Sequence, residues 1–340
     1  MAGNRQVVLA SRPVGVPEAR HFAIVERPLR DLADGEVLIR NHYLSVDPAM
    51  RGWANDAPNY LPPVAIGEVM RSFAVGRVEA SRHARFAVGD QVTGLFGWQE
   101  WALLPGAQVE RKLDEVVFGG LSSSTAVGVL GLNGVTAYHA LLEIGQPRPG
   151  DTVVVSSAAG SVGACVGQIA KLAGCRTVGI AGGAAKVALC REVFGFDAAV
   201  DYKAPDFSAA LKAACGGGVD LYFDNTSGPI SDAVYALLRL RARVVVCGTV
   251  AHDVWNPPPQ GPRIDRQVLV NRARVEGFIA TDWFHRWDEA VRQLAVWLRA
   301  GQLVHREEVL EGLEAAPDAI AGLYRGANLG KRVIRLVPDT

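Results

Sequence analysis

The sequence has little with which to build a disulfide framework or a metal knuckle. Its five cysteines (Cys165, Cys175, Cys190, Cys215 and Cys247) are an odd number, widely spaced, and form no C-x-x-C pair. That usage excludes a stapled extracellular scaffold and points to a reduced, cytoplasmic setting. Surplus charge is missing as well: 35 basic residues balance 35 acidic ones. A neutral chain offers no electrostatic footprint for nucleic acid or an anionic membrane surface. No uncharged run reaches the roughly eighteen apolar residues of a spanning helix. The opening stretch MAGNRQVVLASRPVGVPEAR carries three arginines and no continuous apolar core, unlike a secretory signal.

What is present is a chain of 340 residues, 49% apolar and 21% charged. That length exceeds what one hydrophobic core normally serves, so two domains are expected. Up to about Pro105, short apolar runs are cut by turn signals: Glu36-Val-Leu-Ile-Arg40, Phe73-Ala-Val-Gly-Arg-Val78 and Gly89-Asp-Gln-Val-Thr-Gly94. These predict a small antiparallel or barrel-like β domain. Residues 122–145 change to helical spacing, ended by Gln146-Pro-Arg-Pro-Gly-Asp151. Strand-length runs then follow at Thr152–Ser156, Arg176–Ile180, Asp220–Phe223 and Arg243–Cys247. Helical patterns separate them at Val162–Ala173, Ala184–Phe194, Ala209–Cys215 and Ile230–Leu240. This alternation predicts βαβ units and a doubly wound parallel sheet, so the class is α/β. An amphipathic stretch, Trp287–Leu298, leads into a last strand ending Lys331-Arg-Val-Ile-Arg-Leu336.

The sharpest signal is Thr152-Val-Val-Val-Ser-Ser-Ala-Ala-Gly-Ser-Val-Gly163. A buried strand enters a turn with small residues, Ala158, Gly160 and Gly163, where a dinucleotide fingerprint has its glycines. Small residues are needed because the turn is tight and a pyrophosphate must approach the main chain. The next helix buries a stripe of Val162, Cys165, Val166, Ile169 and Ala173. Its N-terminal N–H groups at Ser161, Val162 and Gly163 then face the anion. A G-x-x-G alone is a weak sign, since glycine turns are common; the strand–turn–helix context makes it a cofactor site. An NAD enzyme places Asp or Glu about twenty residues later to hold the ribose 2′-hydroxyl. Here that place reads Ile180-Ala-Gly-Gly-Ala-Ala-Lys186. No acid repels a 2′-phosphate, two glycines leave room for one, and Lys186 can neutralise it. A solvated lysine is the bland alternative, but it would oppose the helix dipole there. NADP(H) is therefore the expected cofactor.

Zinc-dependent alcohol dehydrogenases share this two-domain plan but draw thiolate and imidazole ligands from the first domain. The segment before Cys165 has no cysteine, and His21, His42, His83 and His139 lack ligand spacing. Each histidine reads instead as a surface or locally hydrogen-bonded residue, and no metal is expected. Without a Lewis acid, alcohol–carbonyl interconversion loses its usual electrophile, whereas conjugate reduction of a C=C bond remains open.

Several blocks together carry a resemblance: Leu44-Ser-Val-Asp-Pro-Ala-Met-Arg-Gly52, Ile66-Gly-Glu-Val-Met-Arg71, Gly134-Val-Thr-Ala-Tyr138 and Ala158–Gln168. Tyr222-Phe-Asp-Asn225, Cys247-Gly248, Glu276-Gly-Phe278 and Gly326-Ala-Asn-Leu-Gly-Lys331 extend it over nearly the whole chain. The sequence resembles the zinc-independent medium-chain dehydrogenase/reductases of the leukotriene B4 dehydrogenase, prostaglandin reductase and alkenal double-bond reductase type. The resemblance implies a GroES-like β-barrel-type substrate domain (1–125 and 302–340), a Rossmann NADP-binding domain (126–301), a homodimer, and NADPH between the domains. It places the pyrophosphate on Gly160–Gly163, and the 2′-phosphate on Lys186 and Tyr202. Asn225, Cys247, Gly248, Thr249, Phe278, Ile279, Ala280 and Asn328 would line the remaining cofactor path, with Thr136 near the nicotinamide. Taken singly, Tyr202 could cap the third strand and Asn225 form the turn after the fourth.

The implied activity is hydride transfer from NADPH to the β-carbon of an α,β-unsaturated ketone or aldehyde. A hydroxyl of the cofactor ribose or a tyrosine would stabilise the enolate, and solvent would protonate the α-carbon. Two departures bear on substrate. Ala49 stands where the family commonly has tyrosine, and Thr249-Val-Ala-His-Asp-Val-Trp-Asn256 lacks the tyrosine usual after Cys247-Gly248. Tyr60, Asp253 and Trp255 are the candidates to line the substrate pocket instead, and no catalytic side chain is assigned. An NADPH:quinone oxidoreductase and a catalytically weak NADPH-binding sensor are the alternative readings.

Overall fold

In the computed structural model, which describes residues 3–56, 59–252, 254 and 257–337, the chain begins with an antiparallel pair. These strands are β1 (Gly3–Leu9) and β2 (Phe22–Pro28). The turn-punctuated runs that follow fold as β3 (Glu36–Ser45), β4 (Ala74–Ser81), β5 (Gln91–Gly94), β6 (Trp101–Pro105) and β7 (Arg111–Lys112). Alternation along β3 buries Val37, Ile39, Asn41 and Tyr43 on one face, the period expected of a sheet with one covered side.

The chain divides into two compact units, one of Met1–Gly128 with Glu307–Thr340 and one of Val129–Arg306. The second unit holds six parallel strands: β8 (Thr152–Ser156), β9 (Arg176–Ala181), β10 (Ala198–Asp201), β11 (Val219–Asp224), β12 (Leu238–Val246) and β13 (Arg274–Gly277). Their order, β10-β9-β8-β11-β12-β13, is that of a doubly wound Rossmann-type sheet, reversing direction between β8 and β11. β8 is buried throughout, as its unbroken Thr-Val-Val-Val-Ser run requires when helices cover both faces. One side of the sheet packs Val154, Val178, Ile180, Tyr222 and Val244 against Leu211 and Val234 from the helices.

The Ser161–Leu172 helix buries more than the expected stripe. Residues Gly163 through Ala170 are all enclosed, while Val162 and Ala173 are only half-buried. The helical pattern expected over Ile230–Leu240 is a shorter helix, Gly228–Tyr235, and Leu238–Leu240 instead open β12. The Leu237 amide closes the helix on the Val234 carbonyl. Leu-Arg alternation then continues as strand, with a register shift opposite Val219/Leu221 and Arg241 in the left-handed region at φ 65°.

The last segments return to the first unit. There β14 (Glu307–Glu311) and β15 (Lys331–Arg335) complete a seven-stranded sheet, ordered β14-β15-β3-β4-β5-β7 with β6 on β3.

Candidate functional site

The carboxyl end of β8 is shaped by three small residues. Ser157 takes the left-handed conformation (φ 53°), and the Ala158 amide donates to the Ile180 carbonyl at 3.0 Å, seating the turn on β9. A Cβ on Gly163 would run into the Ser157 carbonyl and stand 2.9 Å from Ala158 Cα. A Cβ on Gly179, on the neighbouring strand, would stand 2.9 Å from the Ala158 side chain. The backbone is thus packed as closely as glycine and alanine permit. Gly160 is the N-cap of the twelve-residue Ser161–Leu172 helix, and no side chain caps it. The first-turn amides of Ser161, Val162 and Gly163 have no intrahelical acceptor, as at any helix start, and they present the positive end of the dipole. This cradle fits a pyrophosphate.

At the end of β9, Gly183 has φ +90°, a conformation that glycine supplies without strain. A Cβ on Gly182 would meet the Tyr202 ring at 2.8 Å, so that ring lies directly over the glycine. Lys186 follows within the Ala184–Ala188 helix. The structure also brings in Lys203, which the sequence reading did not single out; its ammonium is 5.9 Å from the Tyr202 ring centroid. The acid nearest this corner, Asp201, accepts from the Gly183 and Lys203 amides, each at 2.9 Å. Those backbone donors hold its carboxyl below the usual carboxylate range. Gly182, Gly183, Tyr202 and Lys203 therefore share one corner, with the Lys186 helix leaving it.

β8, β11 and β12 end side by side. The Asn225 amide N–H donates to Ser156 Oγ at 2.8 Å, and its side-chain amide donates to the Ser156 carbonyl at 2.7 Å. The amides of Cys247 and Gly248 donate to the Asp224 carbonyl at 2.8 and 3.1 Å. A Cβ on Gly248 would lie 2.9 Å from the Asn225 carbonyl. Beneath them is Asp224, 2% exposed, to which its block in the sequence assigns no role of its own. Its Oδ1 accepts from the Tyr222 hydroxyl (3.0 Å) and from the amides of Thr226 (2.9 Å) and Ser227 (2.8 Å); Oδ2 accepts from Ser231 Oγ at 2.7 Å. Burial pushes the Cys247 thiol up to about 12, so it is no nucleophile at neutral pH.

The remaining candidates are more scattered. Phe278, Ile279 and Ala280 follow β13 at the sheet edge, where the Phe278 ring lies 5.1 Å from Trp283. Thr136 is buried in the Leu132–His139 helix. Tyr60 and Asn328 belong to the first unit. There Tyr60 is half-exposed with its amide on Asn59 Oδ1 (2.8 Å), and Asn328 donates to the Gly330 carbonyl at 2.9 Å. Asp253 and Trp255 lie outside the described residues. Among the described residues, no three His, Cys, Asp or Glu side chains converge as a metal-ligand set.

Residues 5–111 match the family described as N-terminal domain of oxidoreductase, and residues 161–296 the family described as zinc-binding dehydrogenase. The chain is 44% identical to the NADPH-dependent curcumin reductase of Escherichia coli (strain K12), over 99% of this chain and 98% of that one. It is 36% identical to the NADP(+)-dependent 2-alkenal reductase of Nicotiana tabacum, over 97% of each. The crystal structure of CurA in complex with NADPH from Vibrio vulnificus superposes with a TM-score of 0.92 at 44% identity, covering 98% of this chain and 100% of that one.

Proposed function

The chain belongs to the zinc-independent medium-chain dehydrogenase/reductase family that includes curcumin, alkenal and prostaglandin reductases, and from that membership we propose how its residues carry the reaction. The activity is NADPH-dependent reduction of the C=C bond of α,β-unsaturated ketones or aldehydes. The observation that carries it is the glycine-lined cradle of Gly160–Gly163 beside a corner bearing Tyr202 and Lys203, where the carboxylate of Asp201 is taken up by the Gly183 and Lys203 amides, with Lys186 in the helix that leaves it.

The Ser161, Val162 and Gly163 amides bind the pyrophosphate, while Lys186 and Tyr202, joined by Lys203, bind the 2′-phosphate. Asn225, Cys247, Gly248, Thr249, Phe278, Ile279 and Ala280 line the rest of the path. Asn328 serves the same cofactor path, Thr136 lies near the nicotinamide, and Tyr60, Asp253 and Trp255 serve the substrate. NADPH, when bound, supplies the hydride that adds to the substrate β-carbon; the α-carbon then takes a proton. The protein's share is orientation and exclusion of water from a site built on rigid strand ends. The glycines permit close approach, and Asp224 locks the Asn225 turn.

The Val129–Arg306 unit acts as the NADP-binding domain and the other unit as the substrate domain. Among the described residues no helix is long and apolar enough to cross a membrane, and the five free thiols support a cytoplasmic setting. The edge strand β13 exposes all four of its residues, which supports a homodimer made by continuing the sheet into a second copy.

The purified protein should oxidise NADPH with alkenals, benzalacetone-like ketones or curcuminoids, and saturate their C=C bond. Turnover of quinones alone, or tight NADPH binding without turnover of any acceptor, would overturn the assignment. Lys186→Glu should raise the KM for NADPH about tenfold or more, with little change for NADH. Equal effects on both cofactors would remove the 2′-phosphate role.

A further inference from the structure

Thr136 and Phe278–Ala280 are far apart in sequence, yet one cluster, built on the buried His139 and Trp283 and capped by the half-exposed Glu143 and Arg286, joins them. His139 lies one turn beyond Thr136 on the same helix and is fully enclosed. Its Nδ1 is 2.9 Å from Glu143 Oε1, and its Nε2 is 3.2 Å from the Arg286 carbonyl oxygen. The ring stacks on Trp283, with centroids 5.6 Å apart and planes 10° from parallel. Trp283 Nε1 donates to Glu143 Oε2 at 2.8 Å, and the Arg286 guanidinium donates to Glu143 Oε1 at 2.6 Å. The Trp283 ring also packs against Phe278, with centroids 5.1 Å apart. A continuous path of contacts therefore runs from the Thr136 helix through His139 and Trp283 to Phe278.

This cluster does work that the sheet does not. Within one protomer β13 is held only by its pairing with β12 and leads into Phe278 with every residue exposed, so the protomer's own side-chain burial along the strand does not anchor the turn after it. The 3₁₀ turn Ala280–Arg286 carries the anchors, Trp283 and the Arg286 carbonyl. On the opposing side the Thr136 helix widens into a π-helical turn, Ala140–Gly145, which carries Glu143. Such turns recur where a helix presents functional groups. Burial opposes the charge on Glu143, yet the Trp283 and His139 hydrogen bonds and the Arg286 charge hold its carboxyl below the usual range. Both oxygens are thereby committed to fixing the turn.

We propose that His139, together with Glu143 and Trp283, is a positioning element for NADPH, holding the Phe278–Ala280 turn against the Thr136 helix without touching the cofactor. The inference rests on the placement of Thr136 and Phe278–Ala280 along the cofactor path. His139→Phe keeps the stacking surface and removes both polar contacts; Glu143→Gln keeps an acceptor for Trp283 and removes the charge.

The test compares each variant with the wild type by NADPH fluorescence titration, amide exchange at Ile279 and Ala280, the KM for an enone, and the Tm. The expected result is a rise of about tenfold in the NADPH Kd, the loss of a charge-assisted contact. It should come with faster exchange at Ile279 and Ala280, and an enone KM and Tm close to wild type. If His139→Phe does not fold, Glu143→Gln alone must meet those criteria. Unchanged Kd values overturn the proposal, and so does a Kd rise that merely parallels a fall in Tm. Failure of the wild type to bind NADPH would instead overturn the cofactor assignment, and the proposal with it.

Discussion

Lys331 Nζ donates to Asp47 Oδ1 at 2.7 Å, an ion pair in which 5% and 6% of the two side chains are exposed. The other two donors of the ammonium are also used, on Ser45 Oγ at 2.6 Å and on the Val46 carbonyl at 3.1 Å. β15 is thereby tied to the turn that starts the Ala49–Ala54 helix. A second tie is the Tyr324 hydroxyl, which donates to the Pro48 carbonyl at 3.0 Å. Removing Lys331 takes the ammonium from a buried carboxylate that keeps the Ser45 hydroxyl as a donor, so Lys331→Met should cost about 3 kcal/mol of unfolding free energy. Asp47→Asn should cost a comparable amount, and the double variant clearly less than the sum. Denaturant unfolding of the three variants checks this; strict additivity would show that the pair is not coupled.

Asp224 makes a parallel case inside the second unit, with both oxygens spoken for by hydroxyls and backbone amides. Asp224→Asn turns an NH₂ toward groups that were donating, at a cost of about 2–4 kcal/mol. Because Asn225 is the next residue, NADPH affinity should fall as well. Urea unfolding and a cofactor titration on the same preparation test both. A variant of wild-type stability would show that the network tolerates an amide.

Gly163→Ala places a methyl group against the Ser157 carbonyl and Ala158 Cα. The turn must open, and the NADPH Kd should rise about tenfold or more, with the β-domain fold intact by circular dichroism. Gly261→Ala is the control. Its Cβ would meet only an Asp232 carboxylate oxygen, at an ordinary 3.5 Å, so its Kd should match the wild type.

Much of the fold was legible because Val-rich runs and 3.6-residue stripes report burial directly, and the glycine spacing of Gly160 and Gly163 reports close approach. The Ile230–Leu240 pattern points to a single helix because Leu238 and Leu240 suit a helix face as well as a strand. Leu237 ends the helix, and β12 begins through pairing with β11, which no local pattern discloses. Asp224 was missed for a related reason. Its donors at Tyr222, Thr226 and Ser227 are local but make a site only once Ser231 turns back onto the same carboxylate. His139 was read as a surface or locally bonded histidine. Its bond to Glu143 is local, but its burial depends on Trp283, remote in sequence.

Glu110 yields the pH prediction. It stands between buried Val109 and the short strand β7, and burial pushes its carboxyl up to about 7 against the opposing charge of Arg111. An acid whose folded pKa lies above its unfolded value of 4.5 binds its proton more tightly in the folded state. The unfolded chain ionises first as pH rises, so stability falls between pH about 4.5 and about 7, then levels off. Across that window the loss is on the order of 1–3 kcal/mol. Glu110→Gln removes the titration while keeping the shape. The variant should match the wild type at pH 4 and exceed it at pH 8, with a flatter profile between. Thermal unfolding across that range decides it: a wild type that kept a constant difference from Glu110→Gln between pH 5 and pH 8 would show that the carboxyl ionises as readily in the folded chain as in the unfolded one.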